Sequence, residues 1–128
     1  MDIRYITADL ELDSPASLDL VVAELEPAMA VHLHDHHEGL HKAALGVGVD
    51  ASPEATVAHV CGLLEGLSAP ARRALQQCTR RVVDLAFESG TTPTSVTHAL
   101  PAALVRRAAD LGLGIAVTLY RVGFYCGD

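Results

Sequence analysis

Hydrophobic and polar residues alternate with a period of two in several short stretches of this chain. Between those stretches they recur at helical spacing. Over residues 3 to 12, Ile6, Ala8, Leu10 and Leu12 fall on one side and Thr7, Asp9 and Glu11 on the other, which predicts a half-buried strand. Ser14-Pro15 reads as a helix start, Ser as N-cap and Pro at the first position, with Leu18, Val21, Val22 and Leu25 as the apolar stripe and Pro27 as the stop. Met29, Val31 and Leu33 alternate with Ala30, His32 and His34 in a second strand. A polar turn at Asp35 to Gly39 and a return strand over 40 to 49 complete a hairpin, with Gly46 and Gly48 marking a weak point or a bulge. Ser52-Pro53 opens a helix with Val57, Val60, Cys61, Leu64 and Leu67 on its buried stripe, and a shorter helix runs on to about Cys78. Residues 81 to 88 alternate again, with Val83, Leu85 and Phe87 together. A Thr-rich loop from Gly90 to His98 follows. Pro101 starts a last helix that Gly112 ends, and Ile115, Val117 and Leu119 form a final strand.

The order is strand, helix, two strands, two helical pieces, strand, helix, strand, without repeats or a linker. Mixed order with a hairpin predicts one α+β domain over residues 1–128. The sheet should be mostly antiparallel with helices on one face, in a ferredoxin-like sandwich. Strands with one apolar and one polar side leave the second sheet face open to solvent.

The closing stretch has a further likeness. Leu100-Pro101-Ala102-Ala103-Leu104-Val105 leads through Ala109-Asp110-Leu111-Gly112-Leu113 into Ile115-Ala116-Val117-Thr118-Leu119-Tyr120. This resembles the closing helix and strand of the bacterial domain-of-unknown-function family 4279, in which an apolar helix ends in Leu-Gly-Leu before a strand ending in Tyr. The opening strand and Ser-Pro helix start suit the same family. The resemblance implies a fold and carries no activity or catalytic residues.

Composition narrows the functional classes. At 128 residues and 50% hydrophobic, the chain can bury a real core. Aromatics are only 4% with no Trp, so stacking platforms for bases or sugars are thin. Lys and Arg total 9 against 16 Asp and Glu, a formal charge of -7, which disfavours nucleic acid and suits a basic protein or a cation. The start, Met1-Asp2-Ile3-Arg4, lacks a signal peptide's basic end and apolar run, and no segment is apolar enough to span a membrane. The 3 cysteines, Cys61, Cys78 and Cys126, are too few and too scattered for a disulfide framework; Cys61 reads as a buried thiol and Cys126 as an exposed one. A cytoplasmic setting is expected.

The one chemically unusual stretch is Val31-His32-Leu33-His34-Asp35-His36-His37-Glu38-Gly39-Leu40-His41, which holds most of the chain's 7 histidines. On a regular strand His32 and His34 share a face, roughly 6.6 to 7 Å apart, and could converge on Zn²⁺ or a similar divalent metal, with His36, His37 or His41 from the turn completing the shell. Asp9, Glu11 and Asp13 lie on the polar face of the first strand and would add carboxylates if that strand is a neighbour; Asp84 and Glu88 fall on the same kind of face. Against this stands the plain reading of a solvated hairpin tip. The stretch does not match the His-x-His-x-Asp-His motif of metallo-β-lactamase-like hydrolases, because Asp35 follows His34 directly.

Dinucleotide, Walker-type and nucleophile-elbow patterns are absent, and the pairs Arg72-Arg73, Arg80-Arg81 and Arg106-Arg107 read as surface charge balance. Two functions are therefore expected as alternatives. One is a binding domain, immunity-like or regulatory, whose acidic open sheet face docks a protein partner. The other is a metal-binding protein or metal-dependent enzyme using His32, His34, His36 and His37, with Asp9 and Glu11 available. A homodimer through the open face is a further expectation.

Overall fold

In the computed structural model, residues 2–48, 52–92 and 95–121 are described. The return strand expected over 40 to 49 ends at Gly46, with Val47 and Gly48 outside it; Val49 itself, and the tail Gly123–Asp128 with Cys126, lie outside the described residues.

Nine elements follow one another: β1 (Arg4–Ser14), α1 (Asp19–Leu25), β2 (Ala30–His37), β3 (Leu40–Gly46), α2 (Pro53–Glu65), α3 (Ala69–Gln76), β4 (Arg80–Glu88), α4 (Ala102–Asp110) and β5 (Gly114–Tyr120). The sheet order is β2-β3-β1-β4-β5. Pairings β2/β3, β3/β1 and β1/β4 are antiparallel; β4/β5 is parallel. The first four strands with their helices form the ferredoxin-like sandwich expected from the pattern. The α4 crossover adds β5 beside β4, as a parallel neighbour requires.

β1 is the centre of the sheet, and its alternation sorts the two layers. Ala8, Leu10 and Leu12 are fully buried under the helices. They meet Leu45 and Ala43 of β3 on one side and Leu85 and Val83 of β4 on the other. From the helix layer, Val21 and Leu25 of α1, Val57, Val60, Cys61 and Leu64 of α2, Leu75 of α3 and Leu104 of α4 close the core. A fully buried Leu or Val contributes on the order of 1.5–3 kcal/mol, so this one layer supplies the driving force of the fold. β1 also carries a bulge between Tyr5 and Thr7. Ile6 is the extra residue, and Tyr5 turns to the helix side, where its hydroxyl lies 2.8 Å from Thr56 Oγ1 of α2.

Helix starts follow the Ser-Pro chemistry in two places of three. Ser52 and Ser68 accept from the amides of Ala55 and Ala71, each with Pro in the first turn. Ser14 does not cap a helix. It ends β1 fully buried, its hydroxyl accepting from Ala16 N, and α1 begins later, at Asp19. Ser-Pro can serve a turn as well as a cap, because Ser bonds its own nearby backbone in both.

The hairpin is longer and tighter than a polar loop over 35 to 39. β2 runs to His37, and only Glu38 and Gly39 turn, with φ of 52° and 80°. Two successive left-handed residues make the two-residue turn whose twist matches the flanking strands.

Candidate functional site

The register of β2 decides what the histidines can do. Val31 pairs with Leu45 and Leu33 with Ala44, so His32 is an extra residue in a bulge. A bulge of this kind shifts the side-chain alternation by one. Val31, before it, faces the core, whereas Leu33, after it, faces the open side with Ala44 and Asp35 with Lys42. His34 and His36 turn to the helix side opposite Ala43 and His41. The expected shared face of His32 and His34 is therefore lost: the two rings stand on opposite sides of the sheet.

His32 lies over the open face. Its ring rests on Gly46, where an added Cβ would come within 2.4 Å of Nε2, and Nε2 is 3.8 Å from Asp9 Oδ1. Gly46 has no positive φ, so its role is clearance: only a residue without Cβ lets the imidazole cross β3 to reach β1. His34 instead pairs with Asp19 Oδ1 of α1 at 3.0 Å. His36 and His41, opposite one another, stack with ring centroids 3.9 Å apart and planes within 7°. Together with Asp19 and Asp35 these three histidines rim a depression of about 340 Å³ on the helix side. His37 is at the turn beside Glu38 Oε1, at 3.6 Å.

Of the candidate metal set His32, His34, His36, His37, Asp9 and Glu11, the structure brings together His32 with Asp9, and His34 near His36. It does not bring the two groups together. Among the described residues, no three His, Cys, Asp or Glu side chains are grouped as a metal ion requires.

The open face carries a different constellation. Asp9 and Asp84 are directly paired across β1 and β4, with Glu11 and Asp13 further along β1. The basic residues of the face are already engaged. Arg80 Nη1 donates to Glu11 Oε1 at 2.7 Å, Lys42 Nζ is 3.9 Å from Asp13 Oδ2, and Arg4 Nε donates to Glu88 Oε1 at 3.1 Å. Asp84 accepts from the Thr118 hydroxyl at 2.7 and 3.0 Å. Among the described residues, no Lys or Arg forms an ion pair with Asp9 or Asp84. Burial pushes the Asp9 carboxyl above its ordinary value; the nearby His32 imidazole opposes that, and the charges of Glu11 and Asp84 add to it.

Beside this row, Glu11, Asp13, Leu33, Lys42, Ala44 and Arg80 line a shallow depression of about 300 Å³. Among the exposed large hydrophobics of the described strands, Leu33 lies on this face, whereas Val117 and Leu119 pair with the helix-side residues Leu85 and Phe87. The face is thus polar, with one apolar foothold. Sequence alternation identified Asp9, Glu11 and Asp13. It could not show the pairing of Asp9 with Asp84, which depends on β4 being a neighbour 75 positions on.

No family model matches the chain, and neither curated proteins nor solved structures give a match. No described helix is long and apolar enough to cross a membrane.

Proposed function

We propose that this domain is a protein-binding module whose open sheet face docks a basic partner surface. The observation that carries this reading is the Asp9–Asp84 pair: two neighbouring carboxylates at the middle of the sheet, with no Lys or Arg partner among the described residues while the bases around them are committed to other acids. Like charges directly opposite on a sheet are destabilising, and a half-buried carboxylate is held at a cost that an incoming Lys or Arg would offset. Charge complementarity of this kind steers encounter and sets specificity more than it adds affinity. The shallow depression at Leu33 offers one apolar contact at the rim. An immunity-like or regulatory role fits such a module by analogy of fold and charge, and the resemblance to family 4279 adds no activity.

The test uses labelled oligolysine as the basic probe and purified chain without a tag. The double variant Asp9→Asn/Asp84→Asn should weaken binding about tenfold or more, since two charge contacts of about 1 kcal/mol each are lost. His34→Ala, on the other side of the sheet, should leave it unchanged. Equal binding by wild type and the double variant would refute the reading.

The alternative is a Zn²⁺ or similar site on the hairpin. It would have to form on the helix side, by His34, His36 and His41 turning toward one point, because His32 is across the sheet. Near-stoichiometric metal in untagged protein, lost in His36→Ala and kept in His32→Ala, would be its signature.

A further inference from the structure

The two edges of the sheet are built differently. β2 carries a bulge at His32 together with Asp35 and several histidines, the devices by which sheet edges avoid pairing with other chains. β5, at the opposite edge, reads Gly114-Ile115-Ala116-Val117-Thr118-Leu119-Tyr120: seven residues, no charge, no Pro and a regular register against β4. Val117 and Leu119 are 65% and 64% exposed, the most of any large hydrophobic residues in the described chain.

These side chains share one layer. Ile115, Val117 and Leu119 pair with Val83, Leu85 and Phe87 of β4 and so face the helix side. Val105 of α4 is also exposed, at 46%. Arg107 binds Glu65 of α2 through two hydrogen bonds, so that flank of α4 is turned toward α2. At about 100° per residue, Val105 is about 160° around the helix from Arg107, on the flank turned away from α2.

We propose that β5 is a homodimer interface, in which two copies pair their β5 strands antiparallel across a two-fold axis through Val117. The strand is its own complement in that register. Val117 meets Val117 of the second copy, Ile115 meets Leu119, and Ala116 meets Thr118, so each apolar position faces an apolar one in the helix layer. A two-fold interface requires such self-matching. Charge selects the same occupant. A chain of net charge -7 repels its own copy over most of its surface, but not along a strip that carries no charge. Edge pairing alone buries less than a stable interface needs, so the proposed dimer also packs its exposed Val117 and Leu119 side chains against their mates. The resulting ten-stranded sheet leaves both Asp9–Asp84 faces open, so the dimer stands or falls independently of partner docking.

Sedimentation equilibrium of the full chain tests this. Wild type should sediment at twice the chain mass in the micromolar range. Val117→Lys places two like charges on the axis and should raise the dimer dissociation constant at least about tenfold, giving one chain mass with an unchanged far-ultraviolet spectrum. Leu119→Lys should do the same. Leu33→Lys, equally disruptive to an open-face dimer, should leave two chain masses. Wild type at one chain mass throughout, or two chain masses retained in Val117→Lys, would overturn the proposal.

Discussion

Replacing Gly46 by Ala isolates the seat of His32. Gly46 lies in β3 without a positive φ, and the three atoms nearest to the position of a new Cβ all belong to the His32 ring, the first at 2.4 Å. The ring is the end of a side chain that is 57% exposed, so it can swing into solvent without disturbing the core. Two opposing contributions follow. Removing a glycine at a compatible strand position stabilises by about 0.4–1 kcal/mol through the unfolded chain. Losing the His32–Asp9 pair, at 3.8 Å and solvent-exposed, costs about 0–1 kcal/mol. Stability should therefore stay within about 1 kcal/mol of wild type, a melting shift of no more than about 5 °C. Local electrostatics should change more visibly. The nearby His32 imidazole acts to lower the Asp9 carboxyl value, so its departure should move the Asp9 titration midpoint upward, read from side-chain carboxyl shifts by NMR. An unchanged Asp9 curve would show that His32 does not rest on Gly46, and a loss above about 3 kcal/mol would show that the seat is part of the core.

Other outcomes follow from the same geometry. Asp9 binds its proton more tightly in the folded chain than in the unfolded one, mainly because of burial. Stability from this group is thus fully present below the ordinary value of 3.8 and is lost as pH rises through the raised folded value. Asp9→Asn should match wild type in strong acid and gain about 0.2–1 kcal/mol at neutral pH in urea unfolding; a gain independent of pH would contradict this. Glu38, held at φ 52° in the hairpin turn, should be eased by Asn, which tolerates that region, so Glu38→Asn should gain up to about 1 kcal/mol; a lower melting temperature would count against the two-residue turn. Cys61 and Cys78 are buried, and burial pushes both thiols above their ordinary value. Brief alkylation of native protein followed by mass mapping should leave both unmodified until denaturant is added, and rapid labelling of either would contradict their placement.

Much of the fold was legible because burial follows alternation directly. The faces of β1 and β4, and the Ser52-Pro53 and Pro101 helix starts, needed only the local pattern. The hairpin was harder, for a physical reason. A bulge is one extra residue in a run that still alternates in composition, and His32, Leu33 and His34 look alike whether or not His32 is paired. The clue lay in β3: Gly46, read as a weak point or bulge of its own strand, is the clearance that lets the His32 ring cross. The acidic row was half visible, since Asp9 and Asp84 each fall on a polar face but meet only through the β1/β4 register. The edge character of β5 depended on strand order, which no local signal carries.

The proposed docking of a basic partner on the open face is tested most directly by amide shift mapping with oligolysine. Titrated into labelled protein, the probe should perturb the segments around Asp9, Glu11, Asp84 and Leu33, and those perturbations should collapse in Asp9→Asn/Asp84→Asn. Perturbations centred on α1, α3 or the His36–His41 stack, or a pattern unchanged by the double substitution, would place cation recognition on the other side of the sheet and contradict the account.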